Sequence, residues 1–166
     1  MKQIILCTSF VFVLYNLNAQ AVYDSVNMNP GYTKEVFYNF NDKAKTSVAF
    51  SSWDIGFQTD FMNASIISNE NSITVYSVPG ADSTDYATLD VSDYSNWPIL
   101  FNSDTSWSIG AFNDGENLAT WDFGWGIYDF NVTHEVYGNK IFVLDKGGEL
   151  FKFWIRKKNV MEYRSI

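Results

Sequence analysis

Apolar and polar residues alternate in short runs along most of the chain, and each run is closed by Gly, Asn, Asp or Pro within a few positions. Around residues 53–59 the alternation puts Trp53, Ile55 and Phe57 on one side and Asp54 and Gly56 on the other. That two-residue period predicts a half-buried strand. The same pattern predicts strands over 34–40 and 46–50 around an Asn41-Asp42-Lys43 turn, and over 64–68. After Asn69-Glu70-Asn71 a further strand is expected over 72–78, with Ile73 and Val75 facing one way and Thr74 and Tyr76 the other.

Pro79-Gly80 ends this series, and the Asp/Ser/Thr/Tyr-rich stretch 81–96 has no sustained apolar period, so it reads as loop or short irregular helix. Residues 97–126 hold Trp97, Trp107, Trp121 and Trp125 among Asn, Asp, Ser and Gly, the composition of a long connection pinned by aromatics. Strand patterning returns over 127–130, 132–137, 141–145 and 150–156. Gly138-Asn139 and Gly147-Gly148 between these runs supply residues that tolerate positive φ, so both predict tight hairpins. In this register Phe151, Phe153 and Ile155 face the core, Lys152 and Arg156 face outward, and Val132, His134 and Val136 share one face. The expectation is an all-β chain: a single antiparallel β-sheet domain with long aromatic-rich loops and little helix.

Lys2, the apolar stretch from Ile4 to Leu14 and Asn18-Ala19-Gln20 have the order of a secretory leader, which predicts a signal peptide over 1–19 and one domain over 20–166. No stretch is apolar for the ~20 residues a membrane-spanning helix needs, so no membrane span is expected. Cys7, the only cysteine, lies inside the leader, which excludes disulfides and thiolate chemistry in the exported protein. The chain carries 11 basic and 19 acidic side chains, net −8, with three basic and 16 acidic between residues 20 and 139. So acidic a body argues against nucleic acid as a partner. Arg156-Lys157-Lys158 near the end reads as the wet face of an edge strand.

Several sequence blocks resemble HmuY-like domains of Bacteroidetes, found in secreted or surface-attached proteins and in cargo of the type IX secretion route. They are S-W-D-I-G-F-Q-T-D-F from Ser52, A-S-I-I-S from Ala64 and S-I-T-V-Y from Ser72. Later come N-S-D-T-S-W-S-I-G-A-F-N from Asn102, F-G-W-G-I-Y from Phe123, T-H-E-V-Y-G-N-K-I-F-V-L from Thr133 and G-E-L-F-K-F-W-I from Gly148. The resemblance implies a secreted or cell-surface β-protein, with the periplasm as the other exported compartment, acting as a binding protein and not an enzyme. It also departs from the family. Cys7 lacks the small residues that precede a lipid-modified cysteine, and the Gly-rich sorting tail and later strands are not seen before Ile166.

Some members of that family capture haem, holding the iron between two histidines or between methionines. His134 is the only histidine here, so the resemblance implies either His134 with a methionine, of which Met62 in an expected turn is better placed than Met28 or Met161, or His134 alone with water. Lys140 is the cation nearest His134 in sequence and the candidate partner for a haem propionate. A strand histidine bonded to a neighbouring loop is the alternative reading of His134.

One histidine excludes a multi-imidazole zinc site, and the absence of G-x-S-x-G leaves a serine-hydrolase triad without its nucleophile turn. Asp82, Asp85, Asp90 and Asp93 do not follow the spacing of a calcium loop and read as solvated. The competing function is an interaction module for a surface protein or a glycan, with Trp107, Trp121 and Trp125 as a stacking surface. If they are not that, they cover the open end of the sheet core.

Overall fold

The computed structural model describes residues 23–28, 30–58, 64–113, 121–158 and 160–166, and for 160–163 the backbone only. Among the described residues all strand pairings are antiparallel, and the helical segments are 3-10 turns of three residues each. The all-β expectation therefore holds. β1 (Lys34–Tyr38) and β2 (Lys45–Ala49) form a two-stranded ribbon around the expected turn at 41–43. β3 (Ile55–Phe57) and β4 (Ile66–Ser68) form a second. Trp53 precedes β3 instead of lying within it, just after the 3-10 turn Phe50–Ser52.

The other strands make a seven-stranded sheet. β5 (Thr74–Ser77), β6 (Ile99–Leu100) and β9 (Phe142–Lys146) form one wing, and β7 (Gly126–Tyr128) with β8 (Val136–Gly138) forms another. β10 (Glu149–Lys157) joins them: Glu149–Phe153 pair with β9, and Lys157 meets Tyr137 of β8. β11 (Val160–Ser165) runs along β10 from Phe151 to Lys157. Phe151, Lys152, Phe153 and Lys157 each have a partner on both sides, so β8 and β9 share the β10 edge opposite β11.

This arrangement corrects one expected hairpin and confirms the other. Gly147 and Gly148 have φ of 63° and 95° and close β9 onto β10 across the Lys146–Glu149 pair, as positive-φ turn residues should. Gly138-Asn139 is no hairpin, because β8 pairs with β7 and β10 and not with β9. Gly138 serves a close approach instead: a Cβ there would stand 1.6 Å from the Ile155 carbonyl oxygen. β11 is also a strand where none was expected.

Both faces of the large sheet are covered. One carries Ile66, Val75, Phe112, Trp125, Phe142, Phe153 and Ile155. The other carries Val78, Tyr86, Val91, Ile141 and Val143, with Leu150 and Trp154 against them. The polar stretch 81–96 supplies Tyr86 and Val91 to this second core and turns through two short 3-10 segments, Ser83–Asp85 and Tyr94–Asn96. Phe153 and Ile155 are buried as expected, but Lys152 does not point into solvent. Its ammonium donates to the Tyr86 and Leu89 carbonyls at 2.9 and 3.1 Å, because the 81–96 stretch folds over that face and presents backbone oxygens to it. A lysine stem covers apolar surface readily when its head finds acceptors.

Candidate functional site

Two places bring chemistry-bearing side chains together. The first is a cleft of about 370 Å³ between the start of the β3–β4 ribbon and the loop 102–109. Asn69, 2 % exposed, sets one wall. Its Nδ2 donates to the Phe50 and Trp53 carbonyls, and its Oδ1 accepts from Asn71 N at 3.2 Å, so the segment carrying Trp53 is tied to the turn after β4. Asn102 sets the other wall. Its Oδ1 accepts from Ser68 N and Ala111 N, both at 3.0 Å, while its Nδ2 donates to Ser68 O at 2.7 Å. Asn113 continues the same pattern, with Oδ1 accepting from Ile66 N at 2.8 Å and Nδ2 donating to Phe123 O at 2.8 Å. Asparagine amides thus take the place of a neighbouring strand along β4, which otherwise would leave buried backbone groups unpaired.

The loop between Asn102 and Gly110 is closed by its own bonds. Ser103 N donates to Ile109 O at 2.9 Å, and Ser103 Oγ accepts from Ser106 N at 3.1 Å. At its tip Trp107 is 92 % exposed, with its carbonyl accepting from Ser65 Oγ at 3.3 Å. Trp53, Trp107, Ile67 and Ile109 give the cleft apolar wall, and Asn71, Ser103 and Thr105 give it polar groups. Glu35, Glu70 and Asp104 are its charged residues, and no lysine or arginine stands among the described residues that line it. Glu70 accepts from Asn102 N at 2.6 Å. Two polar atoms here are buried without a partner, Trp53 Nε1 and Ser68 Oγ.

The second place is the β7–β8 connection. Asp129 organises it, accepting from Asn131 N at 2.9 Å, Val132 N at 3.3 Å and the Thr133 hydroxyl at 3.1 Å, while His134 N donates to the Asp129 carbonyl at 3.0 Å. The bond from Asn131 N leads in holding the Asp129 carboxyl below the usual carboxylate range, with further bonds from Thr133 and Val132 outweighing its slight desolvation. His134 is therefore not a strand residue. It sits in this turn with φ of 55°, exposed, and Val132 is exposed with it. Its Nδ1 lies 3.4 Å from the Tyr128 hydroxyl. Tyr128, Phe130 and Trp121 pack edge to face or tilted with centroids 4.7 to 6.1 Å apart.

Of the haem set implied by the resemblance, the described residues His134 and Lys140 are not brought together. Lys140 follows β8 by two residues and His134 precedes it by two, so the pair stands at opposite ends of the strand. Met62 lies outside the described residues. Met161 is on β11, which β10 separates from β8, and Met28 belongs to the segment before β1. At His134 the structure sets one imidazole beside an aromatic surface. Lys157, the lysine whose strand meets β8, is paired with Glu135 at 3.2 Å.

The three tryptophans proposed as a surface divide. Trp125 is core, 1 % exposed with Nε1 donating to Ala64 O at 2.9 Å, while Trp107 and Trp121 reach solvent in different places. Asp82, Asp85, Asp90 and Asp93 accept from nearby backbone or side-chain donors as turn caps. Among the described residues no group of three or more His, Cys, Asp or Glu side chains is placed to hold a metal, and no helix is long and apolar enough to cross a membrane. The cleft was not legible in advance. Trp53 reads as a core-facing strand residue and Asn69, Asn102 and Asn113 as ordinary loop polars; of the wall, Trp107 alone was among the tryptophans read as a candidate stacking surface. No family model, curated protein or solved structure matches the chain, so the likeness to HmuY-like domains rests on the sequence blocks themselves.

Proposed function

We propose that the chain is an exported, non-enzymatic binding protein that holds carbohydrate in the cleft between Trp53 and Trp107. The observation that carries this reading is Trp107, an indole 92 % exposed at the mouth of a concave site, on a loop stiffened by its own hydrogen bonds. A sugar ring has an apolar C–H face that stacks on indole and a rim of hydroxyls that needs short polar side chains. The cleft offers both, with Asn71, Ser103 and Thr105 near the aromatic wall. The charged residues among its described lining are all acidic, which suits a neutral polyol better than a dianionic porphyrin.

Affinity electrophoresis through gels containing soluble neutral polysaccharides tests this. Retardation of the wild-type protein that is lost in Trp107→Ala, with no release of reducing ends from the polymer, is the expected result. Unretarded migration in every polysaccharide, or retardation unchanged in Trp107→Ala, overturns it.

Haem capture is the second reading, favoured by the exposed His134 imidazole beside Tyr128, Phe130 and Trp121. A saturable haemin spectral change abolished by His134→Ala supports it. An equal change in the variant signifies adsorption to aromatics.

A further inference from the structure

We propose that the cleft is one half of a longer groove, which continues over the Glu70-Asn71 turn into a second depression against the β9–β10 turn, and that the site takes several consecutive units of a glycan chain in place of a single terminal sugar. The inference rests on the carbohydrate reading above and adds the length of ligand that the site recognises. The second depression has a volume of about 270 Å³ and lies among the turn after β4, the start of β5 and the Gly147-Gly148 turn. Glu70 and Asn71 line it and line the cleft as well, so the two adjoin across that turn.

The dividing turn is held from both sides. Toward the cleft, Glu70 Oε1 accepts from Asn102 N at 2.6 Å and Asn71 N donates to Asn69 Oδ1 at 3.2 Å. Toward the second depression, Asp54 ties the two walls to each other. Its carboxylate accepts from Ser72 Oγ at 2.6 Å and from Lys146 Nζ at 2.7 Å, and Ser72 belongs to the dividing turn whereas Lys146 ends β9. The Asp54 carbonyl accepts from Asn69 N at 2.8 Å, one residue from Trp53 of the cleft wall. One residue thus fixes the spacing of both halves before any ligand arrives, which lowers the ordering cost of binding.

The two halves differ in a way that a glycan chain can use. Trp53 and Trp107 give the cleft an indole wall, on which one sugar ring stacks. The described lining of the second depression holds no aromatic ring; Asn71, Ser72 and Thr74 bring an amide and two hydroxyls, and Glu70 and Asp145 bring carboxylates. A neighbouring unit of the same chain meets these through its hydroxyls, which donate to carboxylate or amide oxygens and accept from amide N–H or hydroxyl groups. At the far rim nothing among the described residues stands within 4 Å of a Cβ built on Gly147 or Gly148, so that end is open to a chain that runs on.

The test is titration calorimetry with neutral oligosaccharides of two, four and six units from β-1,4-glucan, β-1,3-glucan, α-1,4-glucan and β-1,4-mannan. In a series that binds, affinity should rise about three- to tenfold from two units to six, as one or two added neutral hydrogen bonds supply. Thr74 lines the second depression and not the cleft, so Thr74→Ala should reduce this gain while leaving the two-unit affinity nearly unchanged. Affinity that is flat from two units to six overturns the longer groove and leaves the carbohydrate reading intact. A gain that survives both Thr74→Ala and Asn71→Ala places the added units elsewhere and overturns it too, as does an equal loss for short and long ligands in Thr74→Ala. Failure of every oligosaccharide to bind overturns both.

Discussion

Asn102 is bonded to Ser68 as a strand partner would be, although it lies in no strand: its Oδ1 accepts from Ser68 N at 3.0 Å and its Nδ2 donates to Ser68 O at 2.7 Å. The same Oδ1 accepts from Ala111 N, so one amide joins β4 to both ends of the loop that carries Trp107. Asn102→Ala removes this acceptor and the donor and strands three backbone groups, Ser68 N, Ser68 O and Ala111 N, all on buried residues. A loss of about 2–3 kcal/mol is expected, measured by urea unfolding. Asn102→Asp keeps the acceptor but sets a carboxylate oxygen against the Ser68 carbonyl, and should recover only part of it.

Gly138 and Gly147 predict opposite mutational behaviour from the same residue type. A Cβ at Gly138 would meet the Ile155 carbonyl oxygen at 1.6 Å, and backbone cannot step aside without parting β8 from β10. Gly138→Ala should cost about 3 kcal/mol or more, at the upper end of single-residue effects. At Gly147 nothing stands within 4 Å, and the penalty comes only from its φ of 63°. Gly147→Ala should cost about 1 kcal/mol. Equal midpoints of the two variants in a denaturant titration would show that β8 does not approach β10 this closely.

These two glycines also mark how far the sequence can be read. Local alternation around Gly147-Gly148 specifies a hairpin because everything that decides it lies within ten residues. At Gly138 the deciding contact is with Ile155, in a strand formed by a distant part of the sequence, so a Gly-Asn pair with the look of a turn is in fact a close crossing. The same limit hid the second core. Residues 81–96 look like solvated loop because their few apolar side chains, Tyr86 and Val91 among them, follow no period, yet they cover a sheet face and turn Lys152 inward. Most strands were legible from the period of two, though β6 and β11 were not. The cleft was not, since the asparagines that shape it act through long-range bonds that leave no periodic trace.

His134 occupies left-handed backbone, a region that histidine enters more readily than β-branched residues and that glycine enters freely. If its place in the turn is purely conformational, His134→Gly should leave the melting temperature nearly unchanged. His134→Val should lower stability by about 1–2 kcal/mol through strain at φ of 55°. Thermal unfolding of the two variants checks this, and a large loss in His134→Gly would show that the imidazole contact with Tyr128 matters more than the backbone.

Asp24 anchors the segment before β1 to the first ribbon, and its protonation should release that segment. Its carboxylate accepts from Lys45 Nζ at 2.7 Å, Ser25 N at 2.7 Å and the Tyr38 hydroxyl at 3.0 Å. The Lys45 bond first, then those from Ser25 and Tyr38, lower its pKa from 3.8 to about 2. A carboxylate whose pKa is lower folded than unfolded contributes fully above the unfolded value and loses that contribution as pH falls through the folded one. The anchor is therefore intact above about pH 4 and gone below about 2. At the alkaline end Tyr38 is held protonated by its bond to Asp24, which raises its pKa above 10.0, so that bond is present at neutral pH and is lost as pH rises through the elevated value. Nuclear magnetic resonance of the Ser25 amide between pH 6 and 1.5 should show a step with its midpoint near 2, absent in Asp24→Asn. A midpoint at the ordinary 3.8 would mean that Asp24 titrates as a free carboxyl and the segment is not held.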